Sequence, residues 1–122
     1  MLKKLFVSFA LLAGMLTLGA PTPAHAAYLQ LWGQLTMLRV HDVGTAYGPP
    51  SDLIDVEVVI VLSSRPGQAF GFKLRNDMDQ ATHAAMLDLL RDAYANNWQV
   101  VINAELPTGK QNGVLNRVWV TR

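Results

Sequence analysis

The stretch FGFKLRNDMDQATHAAMLDLLRDAYANNWQVVINAEL, residues 70–106, changes its hydrophobic period twice. It opens on alternation, with Phe70, Phe72 and Leu74 on one side of an extended chain and Gly71, Lys73 and Arg75 on the other. From Asp77 the period lengthens to that of a helix running to about Asn96. Asp77 with Gln80 three residues on reads as a capping box that opens it. Met86, Leu89, Leu90 and Ala93, extended by Met78, Thr82 and Ala85, form a core-facing stripe; Leu87 and Tyr94 widen it, and Asp88, Arg91 and Asp92 mark the polar side. Asn96-Asn97 supplies a residue that tolerates the left-handed conformation ending a helix. Alternation then returns, with Trp98, Val100, Ile102, Ala104 and Leu106 set against Gln99, Val101, Asn103 and Glu105, a pattern that assigns Trp98 to the core.

On either side of this stretch the chain reads as strands and turns. A first strand-like run from Leu29 to His41 is too long to be flat, and its apolar phase slips from Leu29, Leu31, Leu35 and Met37 to Leu38 and Val40. Such a slip requires a bulge or bend, with Gly33 and the Met37-Leu38 pair as the candidate positions. A turn-rich loop with Gly44, Gly48, Pro49 and Pro50 leads to a second run, in which Ile54, Val56, Val58, Ile60 and Leu62 share one face while Asp55 and Glu57 sit on an outer, solvated one. Residues 63–68 read as a hairpin connection to the run that begins at Phe70. After Leu106, a polar loop precedes a last run in which Val114, Val118 and Val120 oppose Leu115, Arg117 and Trp119. The order β-β-β-α-β-β, mainly β with one helix, matches the five-stranded Greek-key barrel called the OB-fold, whose helix plugs one end; the same pattern also allows an α+β open antiparallel sheet with one helix packed on it.

The N-terminus carries a different signal. Lys3 and Lys4 precede an apolar run from Leu5 to Leu18, then Pro21, Pro23 and Ala24-His25-Ala26, which together read as a secretory signal peptide over residues 1–26 cleaved after Ala26. The run is shorter than a membrane-spanning helix needs, so the mature chain is expected to have no membrane span. Residues 27–122 are then expected to form a single domain, periplasmic or secreted. The sequence has no cysteine, so this exported domain uses neither a lipid-anchored cysteine nor disulfides. A chain this small buries only about 60–65% of its unfolded surface, which favours burial of a face against copies of itself. The formal net charge of +1 includes Lys3 and Lys4, so the remainder carries one more acid than base, and its basic residues are scattered. That pattern argues against nucleic acid as a partner.

Four segments carry a resemblance to a known family: LWGQLTMLRV for the first strand, AFGFKLR for the third, MDQATHAAMLDLLRDAY for the helix and NNWQVVINAEL for the fourth strand. In element order the chain resembles the B subunit of bacterial AB5 toxins, particularly the subtilase-cytotoxin and pertussis-like group. The resemblance implies a ring of five subunits with the helices around a central pore, and a surface that binds host glycans. Two departures matter. Those relatives usually carry a disulfide, and they place a serine before the glycine early in the first strand, where this chain has Trp32 ahead of Gly33.

No constellation for catalysis stands out. His41 and Asp42 are adjacent and so point to opposite faces of a strand, and Ser51, Ser63 and Ser64 lack the glycine pattern of a nucleophile elbow. No metal-ligand spacing or cofactor motif is present, and a non-enzymatic role is expected. The aromatic residues are more informative. Trp32 and Trp119 fall out of phase with the core sets beside them, and exposed indoles suit sugar stacking or a subunit contact. Trp32, Tyr47, Lys73 and Arg75 are the candidate ligand-binding residues; His83, Arg91 and Trp119 are the candidates for an oligomer interface. The expected function is an exported non-catalytic binding module, a homo-oligomer that takes a glycan or a partner protein. The alternative is a monomeric periplasmic envelope or stress protein that binds a partner through one barrel face.

Overall fold

The computed structural model describes residues 26–121. The leader expected over residues 1–26 lies outside the described residues apart from Ala26. The elements run β1 (Ala27–Gly33), β2 (Leu35–Val40), a 3-10 turn (Pro50–Asp52), β3 (Val58–Leu62), β4 (Phe70–Phe72), α1 (Gln80–Asn96), β5 (Val100–Leu106) and β6 (Gly113–Val120). The six strands form one mixed sheet in the order β1-β5-β6-β4-β3-β2, antiparallel throughout except for the parallel pair β4–β6. The fold is mainly β with one helix. Its two edge strands, β1 and β2, are consecutive in the chain and separated by Gln34 alone.

The long first run therefore divides into two strands that pair with different neighbours. The division falls just after Gly33, and the phase slip is absorbed at Thr36, where the β2–β3 register shifts between Leu35 and Met37. The extra residue keeps both Leu35 and Leu38 against the core and sends Met37 to the opposite face. The junction is held to the turn after β3: Ser63 N donates to Gln34 O at 2.8 Å, Gln34 N to Ser63 Oγ at 3.1 Å, and Ser64 Oγ to Trp32 O.

The inner face of the sheet carries rows that the strand register dictates, Leu31–Ile102–Val118 and Leu29–Ala104–Leu115 among them, and Phe70, Phe72, Val58, Ile60 and Leu62 extend the same core. Helix α1 lies against β2 and β6 and adds Met86, Leu90 and Ala93. Its buried stripe is narrower than the sequence pattern suggests. Met78 precedes the helix and is fully exposed, and Thr82, Ala85 and Tyr94 face outward. The N-terminal cap also differs. Asp79 occupies the cap position with no side-chain bond, and Asp77 Oδ1 accepts from Asp79 N at 3.0 Å instead. The C-terminus ends on Asn97 at φ 53°, with Trp98 N donating to Ala93 O and Asn97 N to Tyr94 O, the paired bonds of a Schellman motif. This cap turns Trp98 out of the strand phase, so Trp98 is 42% exposed rather than in the core.

The second run departs further from simple alternation. Only Val58–Leu62 is strand; the chain bends at Glu57, and Ile54 and Val56 move to the other face of the sheet. There they pack with Val59, Ala69, Met37, Tyr47 and Val61 in a second small core. The segment from Tyr47 to Val56 thus straps the outer face of β2, β3 and β4. It is fastened by the Tyr47–Ile54 bridge and by the Asp52 carboxylate, which accepts from Gln111 N and Asn112 N at 3.1–3.3 Å. Asn112 Oδ1 in turn accepts from Ala69 N at 3.0 Å. Gly71 is the place where strap and sheet meet most closely, since a side chain there would collide with Val56 and the Val58 carbonyl.

Candidate functional site

With one outer face strapped, the other is the outer surface of β1, β5 and β6. Antiparallel partners point to the same side of a sheet. The register accordingly lays three outward rows across these strands: Trp32–Val101–Trp119, Gln30–Asn103–Arg117 and Tyr28–Glu105–Val114. Trp32 is 49% exposed and Trp119 half-buried, yet Val101 between them keeps only 1% of its surface open. The first row is therefore an aromatic platform with a closed apolar centre.

The second row is made of amides and one guanidinium. Asn103 Nδ2 donates to Gln30 Oε1 at 3.4 Å. On β6 the register slips opposite Asn103 and Ala104, so that Asn116 is the unpaired residue between Leu115 and Arg117. A bulge re-aims side chains locally, and here Asn116 and Arg117 both line the groove that crosses this face. The same slip corrects the expected phase of the last strand. Leu115 is buried, Val114 is exposed, and Val118 and Val120 turn toward the core. The groove has a volume of about 360 Å³ and is lined also by Tyr28, Gln30 and Asn103. Tyr28, 77% exposed, stands at its edge.

The other sequence candidates lie elsewhere and do not converge. Arg75 is turned inward rather than outward: Nε and Nη2 donate to the Glu57 carboxylate at 3.1 and 3.0 Å, and Nη2 also donates to Asp55. Glu57 is 2% exposed, not on a solvated face, and its Oε1 accepts from Leu74 N at 3.0 Å as well. The hydrogen bonds to Glu57, then to Asp55, hold the Arg75 guanidinium still more firmly protonated, and the bond from Arg75 lowers the Asp55 carboxyl below the usual carboxylate range. This trio clamps the strap to the end of β4. Tyr47 belongs to the strap, with the Arg39 guanidinium 5.6 Å from its ring centroid. Lys73 is exposed, and its carbonyl accepts from His83 Nδ1. His83 also meets the Phe72 ring edge-on at 5.3 Å between centroids, which accounts for its half-buried position. Arg91 is exposed and paired with Asp88 at 3.6 Å. Of the seven candidates, the fold sets Trp32 and Trp119 in one outward row and joins Lys73 to His83 through the Lys73 carbonyl; the other three stand apart.

No family model matches this chain, and no curated protein matches it either. The face must therefore be judged on its chemistry. It offers two indoles and a phenol for stacking, three primary amides that both donate and accept, one guanidinium that only donates, and, in the third row, the Glu105 carboxylate. Among the described residues no group of three or more His, Cys, Asp or Glu side chains is placed to hold a metal ion, and no helix is long and apolar enough to cross a membrane. Gln30, Asn103 and Asn116 are the residues that reading the sequence missed. The signal available for the first two was their alternation with Leu31 and Ile102; Asn116 joins them through a bulge that alternation alone does not locate.

Proposed function

We propose that this chain is an exported, non-catalytic binding module that takes a glycan on the outer face of β1, β5 and β6 and works as a homo-oligomer, in the manner of a toxin B subunit. The observation that carries the reading is the Trp32–Val101–Trp119 row flanked by the Gln30–Asn103–Arg117 row. Aromatic faces beside amides are the combination that sugar recognition needs, because a pyranose presents an apolar C–H face and a rim of hydroxyls that donate and accept. The finer fold reading, an OB-type Greek-key barrel, is supported by the strand order, by the parallel β4–β6 pair and by the single residue that links the two edge strands. Support for self-association comes from a second exposed apolar region at the end of α1, where Tyr94 and Trp98 are 51% and 42% exposed, and a groove of about 250 Å³ runs between Trp98 and Val120.

Two measurements test the proposal. Fluorescently labelled chain on a glycan array should bind a defined set of glycans, and Trp32→Ala and Trp119→Ala should each remove that binding while leaving the native mass unchanged. Light scattering on a sizing column should give a mass of several copies. Absence of array binding refutes the glycan reading. A monomeric mass refutes the homo-oligomer, and the two negative results together return the protein to the class of monomeric envelope factors that dock a partner protein.

A further inference from the structure

The two indoles of the platform share one row with a single strand between them. At the usual strand spacing of ~4.8 Å their backbones are about 10 Å apart. A pyranose unit of an extended chain advances by about one strand spacing. A glycan running across the strands therefore sets one unit over Trp32, the next over Val101 and the third over Trp119. In a β-1,4-linked chain each unit is turned half a rotation from the last, so the first and third present the same ring substituents to the same side and the second presents them to the opposite side.

The amide row runs beside the platform with one residue on each strand, and its two ends, on β1 and β6, stand two strands apart as the first and third units do. Two residues along from Trp32 on β1 lies Gln30; two along from Trp119 on β6 lies Arg117, with the bulged Asn116 beside it; Asn103 lies between them on β5. A primary amide offers a donor and an acceptor together. The complementary group on a sugar is an acetamido substituent, with one N–H and one carbonyl. The middle unit, whose substituent points away from the amides, passes above Val101, whose 1% exposure leaves it no surface to contact, so the stacking falls to the two indoles on either side. The row itself holds no carboxylate; Glu105 lies one row further on.

We infer that this face binds a linear β-1,4-linked chain of 2-acetamido sugars laid across β1, β5 and β6, with three consecutive units engaged. The inference rests on the reading of the face as a glycan site and names its ligand class. Two sources carry this backbone: the homopolymer of N-acetylglucosamine, and cell-wall glycan strands in which every second unit bears a lactyl carboxylate.

Isothermal titration of the purified chain with N-acetylglucosamine oligomers of one to six units, with peptide-free cell-wall strands and with β-1,4-linked glucose oligomers of matching length tests it. Affinity should rise about tenfold between two and three units, the gain of a second aromatic platform, and change little beyond four. The double variant Gln30→Ala/Asn116→Ala removes two exposed amides without touching the core; it should lower affinity for the acetamido trimer about tenfold and leave the glucose trimer unaffected. Tighter binding of the cell-wall strands than of the homopolymer, lost in Arg117→Gln, would assign the guanidinium to the lactyl carboxylate; equal or weaker binding would assign the homopolymer. Affinity independent of length, or equal for glucose and acetamido chains, overturns the inference. Array binding of other glycans with no response to acetamido oligomers overturns it while sparing the glycan reading, whereas no array binding at all overturns both.

Discussion

Gly71→Ala tests the packing that closes the outer face of β2, β3 and β4. A Cβ at Gly71 would lie 2.5 Å from the Val58 carbonyl oxygen and closer still to Val56 Cγ2. The first distance is roughly 1 Å short of ordinary van der Waals contact. Val56 is a side chain that a small shift of the strap relieves. Val58 is not: it pairs with Phe72 on one side and Val40 on the other and is fully buried, so its carbonyl moves only if the sheet moves. Overpacking costs ~1–3 kcal/mol, and a backbone obstacle places this case at the upper end, about 3 kcal/mol. For a domain of this size each kcal/mol lowers Tm by ~4–8 °C, so Gly71→Ala should melt about 12–24 °C below the parent in far-UV circular dichroism. Gly67→Ala is the control, because a Cβ there meets nothing within 4 Å and its backbone φ is unremarkable. It should be neutral or raise stability by up to ~1 kcal/mol through the unfolded chain. Val56→Ala in the Gly71→Ala background should recover part of the loss, the carbonyl contact remaining. A Tm for Gly71→Ala within about 3 °C of the parent would refute the close approach of strap and sheet.

Other perturbations follow from the same contacts. Leu90→Ala empties a fully buried position between α1 and the sheet and should cost ~2–5 kcal/mol, read by denaturant titration at unchanged m-value. Asn97 holds the left-handed cap at φ 53°, so Asn97→Ala should cost ~1–2 kcal/mol in thermal melts while Asn97→Gly costs none. The Asp55 carboxyl is held below its ordinary value of 3.8 by the bond from Arg75, so the folded state binds its proton less readily than the unfolded chain. Its contribution is complete above that ordinary value and lost as pH falls through the lowered one. Parent and Asp55→Asn should therefore differ in stability at neutral pH and converge in acid, as pH-dependent melts would record.

The element order was legible because period changes are local. Alternation, helical spacing and Gly or Pro punctuation place five strand-like runs and the helix, the first run dividing into β1 and β2 in the structure, and the Asn96-Asn97 pair places the cap within one residue. What alternation does not reveal is where a strand stops obeying it. Val56 and Val58 are in phase in the sequence and face opposite sides of the sheet in the structure, because the chain bends at Glu57 to follow a salt-bridged clamp on Arg75, twenty residues from Asp55. Leu115 and Val118 are out of phase in the sequence and share the core, because Asn116 is bulged. Both effects are set by partners distant in the chain, and a single strand carries no record of them.

The same distinction governs the candidate site. An indole out of phase with its neighbours is visible one strand at a time, so the sequence singles out Trp32 and Trp119 but gives them different roles, because nothing local joins residue 32 to residue 119. The join is Val101, in register with both. Strand β5, lying between β1 and β6, turns two isolated aromatic signals into one platform and aligns the amides beside it. The strap does the complementary work on the other half of the sheet, where Tyr47 and Val56 fill against Met37 and Val61 the surface that a ligand would otherwise meet. Sealing that half with the chain's own residues leaves the β1-β5-β6 half as the open outer face of the sheet, and a ligand that meets both Trp32 and Trp119 must cross the strands to do so.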